Sequence, residues 1–378
     1  MKLEQRRWTQ ADSWVPNPCV LRDAAQLVLV FGSTPLLQDP SRYQEIHVMY
    51  PHAQILGCST AGEICGTRVY DDSIIATAVS FSSTRIQGVQ VAIQESAQSV
   101  EAGERLAQLL EPHELVHVLV ISDGIRVNGS ELVRGMLARL PSGVQVTGGL
   151  SGDGARFAHT LVFVDSAPAE GRIAALGFYG KRLKVGYGSL GGWDPFGPER
   201  LITRSTGNIL YELDGQPALA LYKKYLGEHA AGLPATGLLF PLSVRASEDE
   251  REVVRTILSV NEQAQSMTFA GDVPEGEYAR LMKANFDRLV DGAHGAAKTS
   301  YEAIGSSSPD LAVLISCVGR KLVLKQRTEE EIEAVRSVLG DRTVLAGFYS
   351  YGEICPAAPN ASCELHNQTM TITTFSES

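Results

Sequence analysis

At 378 residues the chain exceeds what one hydrophobic core comfortably serves, so two domains of roughly 190 residues each are expected. With 44% apolar and 20% charged residues it has the composition of a folded globular protein, and 36 glycines point to many tight loops. A net charge of -10, with no basic stripe interleaved with aromatics, argues against a nucleic-acid partner.

Residues 1–17 read as a polar lead-in without the apolar stretch of a secretion signal, and no apolar run is long enough to span a bilayer. A cytoplasmic location with no membrane partner is therefore expected. An apolar run at 27–31, a helix-like stretch at 39–50 and a short apolar run at 53–56 lead into Gly57-Cys-Ser-Thr-Ala-Gly-Glu-Ile-Cys-Gly66. Residues 73–81 and 86–93 then read as strands, and 101–110 as a helix stopped by Pro112. The same order recurs as a strand at 115–121, a helix at 129–140 and a strand at 144–147. It ends in Gly148-Gly-Leu-Ser-Gly-Asp-Gly154, where the Gly and acid pair survives and the first Gly is displaced by one.

Strands are expected at 159–164, 173–178 and 183–187, followed by a Gly- and Pro-rich stretch at 188–198 that reads as a loop and boundary. The expected domains are 20–200 and 201–378. In the second half, 217–225 reads as a helix opened by Pro217, and 253–260 and 266–270 as strands. Residues 267–272, ending in Gly271-Asp272, carry a trace of a further repeat. Tyr278, Leu281, Met282, Phe286, Leu289 and Val290 fall on one helical face. The last unit is the clearest: a strand at 311–316, a helix at 328–339 with Thr328 as N-cap and Glu331 three residues on, then Gly347-Phe-Tyr-Ser-Tyr-Gly-Glu-Ile-Cys-Pro356. An alternating strand closes the chain at 364–375, with His366, Asn367 and Gln368 at its mouth.

Two strands joined by a helix are most simply parallel, and loops leaving their carboxyl ends gather on one sheet edge, where ligands bind in open α/β folds. The expected fold class is α/β: two related domains with mixed sheets built from repeated β-α-β units, helices packed on the sheets. The loops nominate Cys58, Ser59, Thr60, Gly62, Glu63, Gly152, Asp153, Tyr349, Ser350, Tyr351, Gly352 and Glu353 as ligand-binding residues. The competing reading stands beside it: Gly62 and Gly352 serve turns that need positive φ, and Glu63 and Glu353 satisfy loop amides.

Along Gly57-Cys-Ser-Thr-Ala-Gly-Glu63, Thr147-Gly-Gly-Leu-Ser-Gly-Asp153, Leu213-Asp-Gly-Gln-Pro217, Gly347-Phe-Tyr-Ser-Tyr-Gly-Glu353 and Leu365-His-Asn-Gln-Thr369, the chain resembles the FIST family of bacterial sensory proteins, with an N-terminal FIST and a C-terminal FIST_C domain. That resemblance implies a ligand-sensing module in signal transduction. A chain without a fused kinase segment is similar to the NosP-like subgroup, which implies bound haem b, nitric oxide as the signal and a histidine kinase as the regulated partner. For the iron, His366 is the first axial candidate and His159 the second, because each begins a strand after a Gly and acid loop. The alternative is a small amino-acid-like ligand without haem, its ammonium met by Glu63 or Glu353. An enzyme is not expected: Cys58 stands where a nucleophile could be exposed, yet no histidine has a spacing that marks a base. The six cysteines show no CxxC or CxxCH spacing, so free thiols are expected. A homo-oligomer is compatible with the sequence.

Overall fold

The computed structural model describes residues 1–247, 252–305, 307–356 and 361–377. Its framework is one β-α-β unit made three times. Unit one comprises strands β1 (Lys2–Thr9) and β2 (Leu27–Gly32), helix α1 (Pro40–Met49), and strands β3 (Gln54–Ser59), β4 (Glu63–Cys65) and β5 (Ile74–Ser80). Unit two runs through β6 (Arg85–Ala92), α2 (Ser99–Gln108), β7 (Leu115–Ser122), α3 (Gly129–Leu137), β8 (Gln145–Leu150), β9 (Val162–Val164) and β10 (Arg172–Tyr179).

Unit three opens with β11 (Leu183–Leu190) and is interrupted by an inserted β subdomain. The insert contains β12 (Trp193–Thr206), β13 (Ile209–Leu213), α4 (Ala218–Leu226), β14 (Leu242–Arg245), β15 (Val253–Arg255), β16 (Ile257–Asn261), β17 (Ser266–Phe269) and β18 (Tyr278–Ala284). The unit resumes with α5 (Phe286–Ala303), β19 (Leu311–Cys317), α6 (Val318–Leu324), α7 (Thr328–Leu339), β20 (Val344–Ser350), β21 (Gly352–Pro356), β22 (Cys363–His366) and β23 (Met370–Glu377).

In each unit the two strands flanking the crossover helix pair in parallel, with Gly57 opposite Val30, Gly148 opposite Val120 and Gly347 opposite Leu314. The strand that leaves the second of them does not stay in its own sheet. β4 pairs with β20 of unit three, β9 with β3 of unit one, and β21 with β8 of unit two. The exchange is cyclic, so none of the three sheets is complete without a neighbour's strand. One apolar core lies between the sheets, supplied by Leu27, Leu29 and Phe31 of unit one, Leu119, Ile121 and Leu176 of unit two, and Val313, Ile315 and Phe348 of unit three. The intervening Val28 and Val30 face the other way, into a separate core with Ile46 of α1. Burial on both faces explains why these strands read as continuous apolar runs.

The α/β class, the mixed sheets and the repeated β-α-β units are as expected from sequence. Four local readings are corrected. Residues 1–17 contain β1, paired antiparallel with β5 along its length. The stretch 188–198 is mostly strand rather than loop, β11 reaching Leu190 and β12 starting at Trp193. Residues 278–284 form β18, not a helix: antiparallel pairing with β12 and β14 holds them extended, and α5 begins only at Phe286. The trace at 267–272 is the end of β17 in an antiparallel sheet with no helical crossover, so it is no repeat unit.

Candidate functional site

The first glycines of the three corners occupy equivalent places. A Cβ on Gly57, Gly148 or Gly347 would lie 2.7, 1.8 or 1.8 Å from the carbonyl oxygen of Val30, Val120 or Leu314, so these residues let the parallel strands approach. Beyond them the corners meet. The Gly152 and Gly154 N–H groups donate to the Ser59 and Thr60 carbonyls, Ala61 N–H to Tyr349 O, Tyr349 N–H to Gly62 O, and Tyr351 N–H to Leu150 O. The Ser59 hydroxyl donates to Gly152 O at 2.8 Å, and the Asp153 N–H donates to the Tyr351 hydroxyl at 2.9 Å.

Thus the structure brings the twelve nominated residues together, but it closes them on one another. Thr60 donates to Glu63 Oε1 at 2.5 Å while Ser73, at the start of β5, donates its hydroxyl to Oε2 at 2.7 Å. Glu353 repeats the device: Ser350 donates to Oε1 at 2.6 Å, and the Thr369 N–H and hydroxyl donate to Oε2 at 3.1 and 3.0 Å. Each carboxylate therefore clips its corner to the segment that begins the unit's closing strand. Burial raises the pKa of Glu63 to about 7 and that of Glu353 to about 8, against the hydroxyl donors that favour the charged forms. Asp153 is held by Arg156 at 2.9 Å through Nε and by the His159 N–H at 3.2 Å. Gly62 has a positive φ of 141°, as the turn reading required, whereas Gly352 simply opens β21. The Tyr349 hydroxyl donates to Glu331 at 2.6 Å, and Tyr351 stacks on Phe157. None of the twelve lines the cavity of about 760 Å³ described below.

Neither histidine fits the axial role. His366 is 3% exposed, and its Nε2 lies 2.9 Å from the Cys355 carbonyl oxygen, across the β21–β22 pair. His159 stands in solvent with Nδ1 2.8 Å from Glu170 Oε1. Each histidine expected to hold a haem thus already has one ring nitrogen engaged by a protein oxygen. Cys58 is fully buried, and burial, with Glu63 nearby, pushes its thiol pKa well up, away from nucleophilic chemistry. Among the described residues no cluster of His, Cys, Asp and Glu could hold a metal ion.

Space for a ligand lies elsewhere. A cavity of about 760 Å³ opens between α3, β22 and the inserted sheet. One wall is Ser130, Val133, Arg134 and Leu137 of α3; the second is Val244, Arg245, Val253 and Arg255 of the insert with Asp272, Pro274 and Glu277; the third is Cys363, Glu364 and Leu365. Its size suits a small molecule. Arg255, 9% exposed, donates from Nε to the Asp272 carbonyl at 2.9 Å and from Nη1 to the Leu365 carbonyl at 3.0 Å. Burial lowers its pKa, opposed by the charges of Glu364, Asp272 and Glu277. Asn128 caps α3 by accepting from the Ser130 and Glu131 N–H groups, and its Nδ2 donates to Asp272 Oδ1 at 2.8 Å. Asp272 belongs to the fourth Gly and acid pair, so that fragment reaches a cavity although it builds no repeat. Arg255 carried no sequence signal, because its place depends on an insert folding back over two other units.

These features define an α/β protein of three interlocked repeats with a side cleft walled by an inserted subdomain. The chain belongs to the FIST family: the FIST N domain matches residues 26–216 and the FIST C domain residues 218–356. FIST domains are associated with signal transduction and small-ligand sensing. No curated protein matches the sequence. Among solved structures the chain is similar to a cyanuric acid hydrolase from A. caulinodans at 11% identity, covering 78% of this chain and 99% of that one with a TM-score of 0.19. A second cyanuric acid hydrolase structure gives 11% identity, 78% and 100% coverage and a TM-score of 0.18. Likenesses this weak carry no argument about activity. No helix among the described residues is long and apolar enough to cross a membrane.

Proposed function

We propose that this chain is a sensory module whose small ligand is taken by the cleft between α3, β22 and the inserted sheet, with output through contact with a signalling partner such as a histidine kinase. The observation that carries this reading is the cleft's construction: a cavity of about 760 Å³ whose walls come from unit two, unit three and the insert. A ligand there would bridge all three, and anything that binds only the assembled walls shifts their equilibrium toward the closed arrangement. At the corners the two carboxylates and the facing loop backbones already serve one another.

The test is a thermal-shift screen of small metabolites followed by hydrogen-exchange mapping. A stabilising compound should slow exchange in α3, β15 and β22. Protection confined to residues 59–63 and 347–353 would return the site to the corners and defeat the reading. The haem and nitric oxide version makes a separate demand: added hemin should give a Soret band that His366→Ala abolishes. We expect no such band, because the His366 imidazole is engaged with a backbone carbonyl.

A further inference from the structure

The cleft contains two groups whose chemistry is unfinished. The Ser130 hydroxyl oxygen is buried and has no hydrogen-bond partner among the described residues. The Arg255 guanidinium is nine-tenths buried, yet its described partners are two neutral carbonyls, with no carboxylate of a described residue in ion-pair contact. Guanidinium carries five N–H donors, so two carbonyls leave others for something else. A buried cation normally has a counter-ion in contact, whereas the charges of Glu364, Asp272 and Glu277, which line the same cavity, reach this one only from beyond ion-pair distance.

Gly271 brings the two groups together. A Cβ there would lie 3.0 Å from Ser130 Oγ and 3.1 Å from Arg255 Nε, so these atoms are at most about 6 Å apart. Both residues line the cavity. With Nε spent on the Asp272 carbonyl, the donors left over are on the Nη1 and Nη2 end of the guanidinium, and they suit a small oxyanion: a carboxylate takes two N–H bonds from that end and one O–H bond from a hydroxyl. We infer that the cleft binds a small carboxylate-bearing ligand, with Arg255 as the anion anchor and Ser130 as its second donor. The inference rests on the proposal that the cleft is the sensory site, and it adds the ligand's chemical class and the residues that read it. Arg245 is engaged by Glu199 at 2.7 Å, and Arg134, its side chain 63% exposed, is not a buried cation, so neither is the anchor.

The experiment uses the full chain, with L-alanine and succinate as probes and L-alaninamide as the control that lacks a carboxylate. Thermal shift and calorimetric titration are read on wild type, Arg255→Met and Ser130→Ala. One or both carboxylates should stabilise the wild type while the amide does not, and either substitution should weaken that binding at least tenfold. Ser130→Ala has a second signature: it deletes a buried hydroxyl that satisfies nothing, so the ligand-free protein should melt no lower than wild type. This keeps the test decisive should Arg255→Met fail to fold. If the probes bind equally well to Ser130→Ala and Arg255→Met, the anchor assignment is wrong while a ligand-binding cleft survives. If no carboxylate binds, or the amide binds as well as the acid, the ligand class is wrong; should the wider metabolite screen also find nothing in the cleft, the sensory reading falls with it.

Discussion

The corners where the three units meet and the cleft beside the insert draw on the same residue types: glycine, hydroxyl side chains and carboxylates. They differ in what those groups have left to do. At the corners Glu63 and Glu353 accept from hydroxyl donors on both oxygens, and adjacent backbones pair with one another. In the cleft a hydroxyl has no partner, and a guanidinium holds only carbonyls, among the described residues. Polar density alone does not distinguish a joint from a site. Unspent hydrogen-bonding capacity beside open volume does.

The comparison breaks most visibly at the ion pair that supports the corner of unit three. Arg320 and Glu331, both 0% exposed, lie 2.8 Å apart, and the pair also engages Ser316, Tyr349 and the Gly191 and Leu289 carbonyls. Arg320→Ala strands a buried carboxylate and should lower stability by about 3–5 kcal/mol in urea unfolding. A loss below about 1 kcal/mol would mean the joint is held some other way.

The carboxylate clips come next. Glu353→Ala leaves the Ser350 and Thr369 donors unsatisfied and should cost about 1–3 kcal/mol, with ligand binding in the cleft intact. The clips also carry a pH signature. Because burial raises their pKa from 4.5 to about 7 and about 8, the folded protein keeps protons that the unfolded chain releases. Stability therefore falls as the pH rises from about 4.5 to about 8, by up to roughly 1.4 kcal/mol per pH unit for each group. Glu353→Gln should flatten the upper part of that slope in denaturation curves taken across the range, and an unchanged slope would show that Glu353 titrates normally.

The smallest effect on stability is expected at the cleft. Asn128→Ala removes the cap of α3 and the bond to Asp272, for about 1 kcal/mol. It should weaken ligand binding in the same titration, the reverse of the pattern at Glu353.

Much of the architecture was legible because it is local. Alternation and helical spacing mark the strands and helices around Gly57, Gly148 and Gly347, and the repeated order marks the parallel crossover. The fourth Gly and acid pair was legible as a fragment, though its role was not. Reading 278–290 as one helix failed because Leu281 and Met282 satisfy a helical stripe as well as a strand buried on both faces; pairing with β12 and β14 chose the strand. The surroundings of His366 and the Glu pair were not legible for a different reason. Position near a strand mouth says nothing about which atoms already have partners, and Cys355, Thr369 and Ser73 supply those partners from elsewhere in the chain.

What the sequence alone determined is the unit and its repetition, together with the family to which the chain belongs, since propensity, periodicity and motif are properties of neighbouring residues. Only the tertiary structure decided that each unit sends a strand into the next sheet, that the repeated corners fill their own centre, and that Arg255 and Ser130 come to face one cavity. Those outcomes depend on which donors and acceptors meet across 93 residues or more of chain.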